Sequence, residues 1–338
     1  MSQQSPNPKS EPLKAMALFT KSEIQQAIDQ ARKHLARKQE PRTPKREPLP
    51  SERAAARLAE SWAKSSGLDL KALDVLRKQH RKELDGVIPK RAADAAKRWS
   101  KHIRATQAEV AERLENAHAA APAQSFFPPG LLLLDTPIGL VSSDDSLIQS
   151  QRIEPQRSVA KFRVDRRSDA TDRVSFLFLF RNDLSAPFLY DFLAVQSISG
   201  HANLWLDGNN SFPFSMDFGR ATIDVRAEVL PASLTTESVR VLEMSGVALN
   251  GPSYWENDTK DQTFSRGGFV TANGLVLRPG QTAVIVVSAV VKSEIDDGHL
   301  VVDLDQGDFG FRSPGVLVVP KRQLFELNIP SGLILTPA

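Results

Sequence analysis

The sequence predicts an α+β chain. A basic helical N-terminal region, a helical hairpin or small three-helix bundle, precedes an all-β antiparallel sandwich, Ig-like or jelly-roll-like. Three observations predict this. The hydrophobic period changes near residue 125, from a helical spacing to every second residue. Charge divides at the same place: residues 1–124 carry 25 Lys+Arg against 15 Asp+Glu, whereas 125–338 carry 18 against 25. Tight-turn dipeptides punctuate the second part, among them Asn182-Asp183, Asp207-Gly208, Asn250-Gly251, Asn273-Gly274, Pro279-Gly280 and Asp297-Gly298.

The expected domains run as follows. Residues 1–17 read as a disordered tail rich in Ser, Gln, Pro and Lys. Residues 18–50 hold a short helix and a Pro-rich linker. Thr20 or Ser22 can cap that helix, and Ile24, Ala27, Ile28, Ala31 and Leu35 share one face. Pro41 to Pro50 has four prolines and no apolar period. Residues 51–121 form the basic helical region. Its first helix starts at Ser51, carries Ala55, Leu58 and Trp62 inward, and stops before Gly67. The next starts near Asp69, lines up Leu73, Leu76, His80 and Leu84, and ends at Gly86. Pro89 opens the longest helix, with Ala92, Ala96, Trp99, Ile103, Thr106 and Val110 inward. Their alternating steps of four and three make a short coiled-coil seam. Ala117 to Pro122 is a small-residue linker.

Residues 125–338 are the sandwich. Strands are expected at Val159–Val164, Val174–Phe180, Phe188–Ile198, Leu204–Leu206, Ile223–Leu230, Val239–Leu249 and Gly268–Val270. More follow at Ala283–Val291, Leu300–Leu304, Val316–Val319, Gln323–Leu327 and Leu333–Leu335. Phe176-Leu-Phe-Leu-Phe180 is apolar on both faces. It reads as a central strand with one face in the sandwich, the other needing a second sheet, a helix or another chain over it.

Several chemistries are excluded at this level. With 0 cysteines there are no disulfides, thiolate nucleophiles or cysteine-ligated metals. Gly-rich phosphate loops, a His-Glu-x-x-His pair and a Gly-x-Ser-x-Gly elbow are all missing from the sequence. The six histidines are scattered. The acidic stretch Asp296 to Asp308 departs from the EF-hand template, because glycine falls one place early and Pro314 stands where the bidentate Glu belongs. It reads as two polar turns flanking a strand. No cofactor and no metal is expected.

Candidate binding residues are Tyr254, Trp255, Glu256, Asn257 and Asp258, aromatics beside amide and carboxylate groups in a turn-rich segment. A second candidate is the basic patch of Lys90, Arg91, Lys97, Arg98, Lys101 and Arg104 along the longest helix. The function expected is a non-enzymatic modular interaction or structural protein. Its helical half would dock on a protein partner or assembly, or self-associate, while the sandwich presents recognition loops. Two alternatives stand beside it. One is non-specific nucleic-acid binding through the basic half. The other is a carbohydrate-binding or carbohydrate-active β domain, with Glu256, Asp258 and Asp261 as acids. No stretch of the sequence is apolar enough to span a membrane. With no signal peptide apparent, a cytoplasmic location is the default, with leader-independent export the other route.

Overall fold

The computed structural model describes residues 19–37, 70–119, 132–207, 216–230, 238–251, 254–256 and 258–323, with isolated positions at 61, 65 and 67. The N-terminal tail, the Pro-rich linker, most of the helix expected from Ser51 and the strand expected at Leu333–Leu335 lie outside the described residues.

Among the described residues thirteen strands follow two helices: α1 (Lys21–Arg37), α2 (Leu70–Ala119), β1 (Leu132–Leu134), β2 (Gly139–Ser142), β3 (Ile148–Arg152), β4 (Val159–Arg166), β5 (Ala170–Arg181) and β6 (Phe188–Leu206). The rest are β7 (Met216–Leu230), β8 (Ser238–Gly251), β9 (Tyr254–Glu256), β10 (Asp258–Leu277), β11 (Thr282–Ile295), β12 (Gly298–Asp303) and β13 (Gly310–Gln323). Every pairing is antiparallel. The first sheet has seven strands, β1-β13-β4-β12-β6-β10 with β3 on β4; β12 and β13 lie end to end between β4 and β6. The second has six, β2-β5-β11-β7-β8-β9. The expected β-sandwich is present. No described helix is long and apolar enough to cross a membrane.

Between the sheets lies one apolar core, with Phe176, Phe178 and Phe180 from β5 meeting Phe192, Ile198 and Leu204 from β6. Leu177 and Leu179 face the other way. Together with Val141, Leu230, Val284 and Val286 they make an outer apolar surface, and α1 covers it with Ala27, Ala31 and Leu35. The doubly apolar β5 is therefore an interior strand roofed by a helix. Thr20 caps α1 reciprocally: its Oγ1 accepts from Glu23 N at 3.2 Å while its N–H donates to Glu23 Oε2 at 2.6 Å.

The helical hairpin or bundle, and with it the coiled-coil seam, is not supported. Two helices are described, and each spends its apolar stripe on a sheet instead of on another helix. Ala92, Ala95, Ala96 and Ile103 of α2 are buried, but against β6 and β10 and beside Phe309. Trp99, read as inward, is exposed with its ring edge-on to His102. Gly86 and Pro89 do not separate two helices, since α2 runs through both. A proline there costs one backbone hydrogen bond and a ring clash, about 3 kcal/mol. Splitting the helix would leave four orphan groups at each new end, and that is worse. Asn273-Gly274 is no hairpin either. Gly274 takes φ 80° in a bulge within β10, where the register against β6 shifts between Ala272 and Leu275.

Candidate functional site

The β8–β9 hairpin carries the expected recognition residues to the outermost strand of the second sheet. Tyr254 pairs with Gly251, Trp255 with Asn250 and Glu256 with Leu249. Their side chains, and Asn257 altogether, lie outside the described residues. Asp258 is placed next to them, at the start of β10 in the other sheet. Its Oδ2 accepts from Val247 N at 3.2 Å and its Oδ1 takes Lys260 Nζ at 3.0 Å. Asp258 thus clips one sheet to the other. The same corner is built on glycine: a Cβ at Gly219 would sit 2.3 Å from Leu206 Cδ2, and one at Gly246 would sit 2.6 Å from Asp258 Oδ2.

Beside the hairpin, Phe218 of β7 and Val247 of β8 are direct cross-strand partners, and both point outward, 42% and 43% exposed. The sequence reading missed this pair. Its signal was the alternation of Phe218 and Arg220 with small residues, which marks a solvent face. Further along the same face a charged network begins. Arg220 and Arg240 both hold Glu243 at 2.6 Å, and Arg240 also holds Asp224. The two arginines keep the Glu243 carboxyl below the ordinary carboxylate range, chiefly through the Arg220 hydrogen bond. At the other end of the sheet Glu228 takes His34 Nε2 at 3.2 Å and Arg173 Nη1 at 3.6 Å.

The six basic candidates are all exposed on α2. Arg91 reaches Asp261 at 3.4 Å and Arg104 reaches Asp308 at 2.9 Å, so these two tie the helix to the sandwich. Lys90, Lys97, Arg98 and Lys101 carry no ion pair among the described residues. Beneath the helix lies a polar surface that the sequence reading did not assemble. His201 is buried, with Nδ1 at 3.1 Å from Thr263 Oγ1 and Nε2 at 2.8 Å from Asp261 Oδ1, the latter poorly aligned as a hydrogen bond. Burial lowers the His201 imidazole below its ordinary value, against the pull of Asp261 and Asp303.

Asp258 and Asp261 are three residues apart on one strand and engage different surroundings, Asp258 with β8 and Asp261 with α2 and His201. They do not form a facing pair of acids. The acidic stretch 296–308 forms turns on both sides of β12: Asp303 Oδ1 accepts from Asp305 N at 2.8 Å, and Lys161 Nζ binds the carbonyls of Asp305 and Gly307. Among the described residues no three acidic or histidine side chains gather at metal-binding distance.

No protein-family profile matches the chain, and no curated protein matches it. Among solved structures, the carbohydrate-binding module TmCBM61, in complex with β-1,4-galactotriose, aligns over 54% of this chain and 86% of its own, at 10% identity and TM-score 0.13. Infectious bursal disease virus, Gx strain, aligns over 59% of this chain and 49% of its own, at 12% identity and TM-score 0.14. Likeness at that level defines no family.

Proposed function

We propose that this chain is a non-enzymatic interaction protein, and that its recognition surface is the outer edge of the second sheet formed by β7, β8 and the β9 hairpin. We read the scaffold as a jelly roll. Take β4, β5, β6, β7, β8, β10, β11 and β13 as strands one to eight. One sheet then runs 1-8-3-6 and the other 2-7-4-5, once short β1, β2, β3, β9 and β12 are set aside. That wrapping supports the jelly-roll reading over the Ig-like one.

The observation that carries the functional reading is the outward pair Phe218 and Val247 next to the strand holding Tyr254 and Trp255. Isolated exposed apolar residues mean little, but a cross-strand apolar pair in a sheet whose next strand carries Tyr254 and Trp255 in its sequence supports a hot-spot composition. The neighbouring acids are engaged in ion pairs, which favours binding over acid–base chemistry. The favoured ligand is a protein surface, a second copy included. A pull-down with the full chain and with Phe218→Ser and Val247→Ser tests it. Loss of a retained partner in both variants is expected. Unchanged retention in both overturns the reading, and glycan-array signals lost in the same variants would transfer the surface to sugars.

A second reading rests on α2. Lys90, Lys97, Arg98 and Lys101 are exposed cations without acidic partners among the described residues, which suits a polyanion. Replacing the four by Gln is expected to reduce the slope of log K against log salt by up to about 3.6 on duplex DNA and about 2.8 on single-stranded RNA. No retention of the full chain at low salt overturns it.

A further inference from the structure

The two helices cover the two outer sheet faces with opposite chemistry. Under α1 the second sheet presents Leu177, Leu179, Val284 and Val286. Under α2 the first sheet presents Ser199, His201 and Asn203 from β6, Asp261 and Thr263 from β10, and Asp303 from β12, with Trp205 and Val301 as buried apolar members of the same face. A permanent helix-on-sheet contact gains its stability from apolar area on both sides. Here a narrow stripe of three alanines and Ile103 meets a face whose central rows are hydroxyls, carboxylates and an imidazole, and Ser199 Oγ has no partner among the described residues. Apolar contact from the helix is concentrated where Ala96 and Ile103 meet Phe309, and two ion pairs add to it, Arg91 to Asp261 and Arg104 to Asp308. Trp205 and Val301 apart, the residues of this face are ones that stay compatible with water when their cover leaves.

We propose that α2 is a releasable arm, docked on the first sheet over uncharged His201 and set free when that imidazole gains a proton. The groups facing His201 decide the direction. Asp261 and Asp303 lie on the sheet side, and Arg91 and Arg98 on the helix side. A proton on His201 creates a cation that faces two α2 arginines. It also gives Asp261 a partner within the sheet, at 2.8 Å, in competition with Arg91 at 3.4 Å. Both changes favour release. Because burial depresses the docked value, docking is fully supported above the ordinary imidazole value near 6.5 and weakens as pH falls below it.

The chain has 0 cysteines, so single thiols can report the contact. Ala96→Cys places one in the buried stripe, and Ala105→Cys places a control on the exposed side of the same helix. The alkylation rate of the Ala96→Cys variant relative to that of the Ala105→Cys variant is expected to rise several-fold from about pH 7.5 to about pH 5.5, either side of the ordinary imidazole value. His201→Gln should abolish the rise, with the far-UV circular dichroism unchanged throughout. A second measurement avoids substitution in the interface: spin labels at Ala105→Cys and Gln151→Cys should give one distance near neutrality and a broad distribution in acid. A pH-independent rate ratio with an unbroadened distance, or a rise that survives His201→Gln, overturns the proposal.

Discussion

Asn182 offers the sharpest test of how the sandwich is held. It is wholly buried at the β5–β6 turn. Its Nδ2 donates to Ala186 O at 3.0 Å and Leu277 O at 2.9 Å, and its Oδ1 accepts from Leu184 N at 3.1 Å and the Tyr190 hydroxyl at 2.8 Å. Its backbone adds bonds to Gln281 O and from Gly280 N, so one residue binds the β5–β6 turn to the β10–β11 turn. Asn182→Ala keeps the backbone bonds and strands two donors and two carbonyls. A buried unsatisfied group costs about 1–3 kcal/mol, and water entering the small void offsets part of it, so we expect a loss of about 3–5 kcal/mol. That is a large share of a typical domain stability of about 5–15 kcal/mol. Urea unfolding with an unchanged slope is the assay. Adding Tyr190→Phe to Asn182→Ala removes one stranded donor and should restore about 1 kcal/mol. A loss under about 1 kcal/mol for Asn182→Ala, or strict additivity with Tyr190→Phe, would refute the argument.

Burial pushes the Tyr190 phenol up to about 12. In Tyr254→Phe, which leaves one tyrosine, ultraviolet titration should show its ionisation well above pH 10; stability should fall across that interval, because the unfolded chain ionises first. Ala31 is fully buried between α1 and the second sheet, so Ala31→Asp is expected to cost about 3 kcal/mol or more and raise binding of a hydrophobic dye. By the same logic residues 125–338 alone, lacking α1, should self-associate through bared Leu177, Leu179, Val284 and Val286, measurable by light scattering. Gly219→Ala pushes a methyl into Leu206 and should destabilise by about 1–3 kcal/mol in urea melts, while Gly280→Ala acts through its φ of 72° alone and should cost less.

Much of the sandwich was legible because strand alternation is local. Val159–Val164, Val174–Phe180 and Ala283–Val291 fall inside β4, β5 and β11. What local pattern misses is continuity. Leu204–Leu206 belongs to the same strand as Phe188–Ile198, because Ser199, His201 and Asn203 keep the alternation through a stretch whose polarity reads as a break. Strands β1, β2, β3 and β9 have 3–5 residues each, too few to show a period, and exist through pairing with longer neighbours. Ala92, Ala96 and Ile103 of the expected seam do share the buried face, though Trp99 between them is exposed, and a shared face does not name what it meets. A helix packing on a sheet and a helix packing on a helix write the same stripe.

The site was less legible for the same reason. His201 and Asp261 are 60 residues apart and meet only through the register that sets Asp261 opposite Asn203 in β10–β6. No spacing rule reaches that far. Yet β6 did carry a message: Ile198, Ala202 and Leu204 alternate with Ser199, His201 and Asn203, the pattern of a strand with one face in the core and one in water. The structure puts α2 where that pattern expects water. On β5 the outer positions under α1 are leucines, so the sheet there is written for permanent cover. The two outer faces belong to one sandwich and to helices of similar reading, and they differ only in what the strands offer. A face written for solvent and found under a helix is the mark of a contact whose open state the sequence also supports.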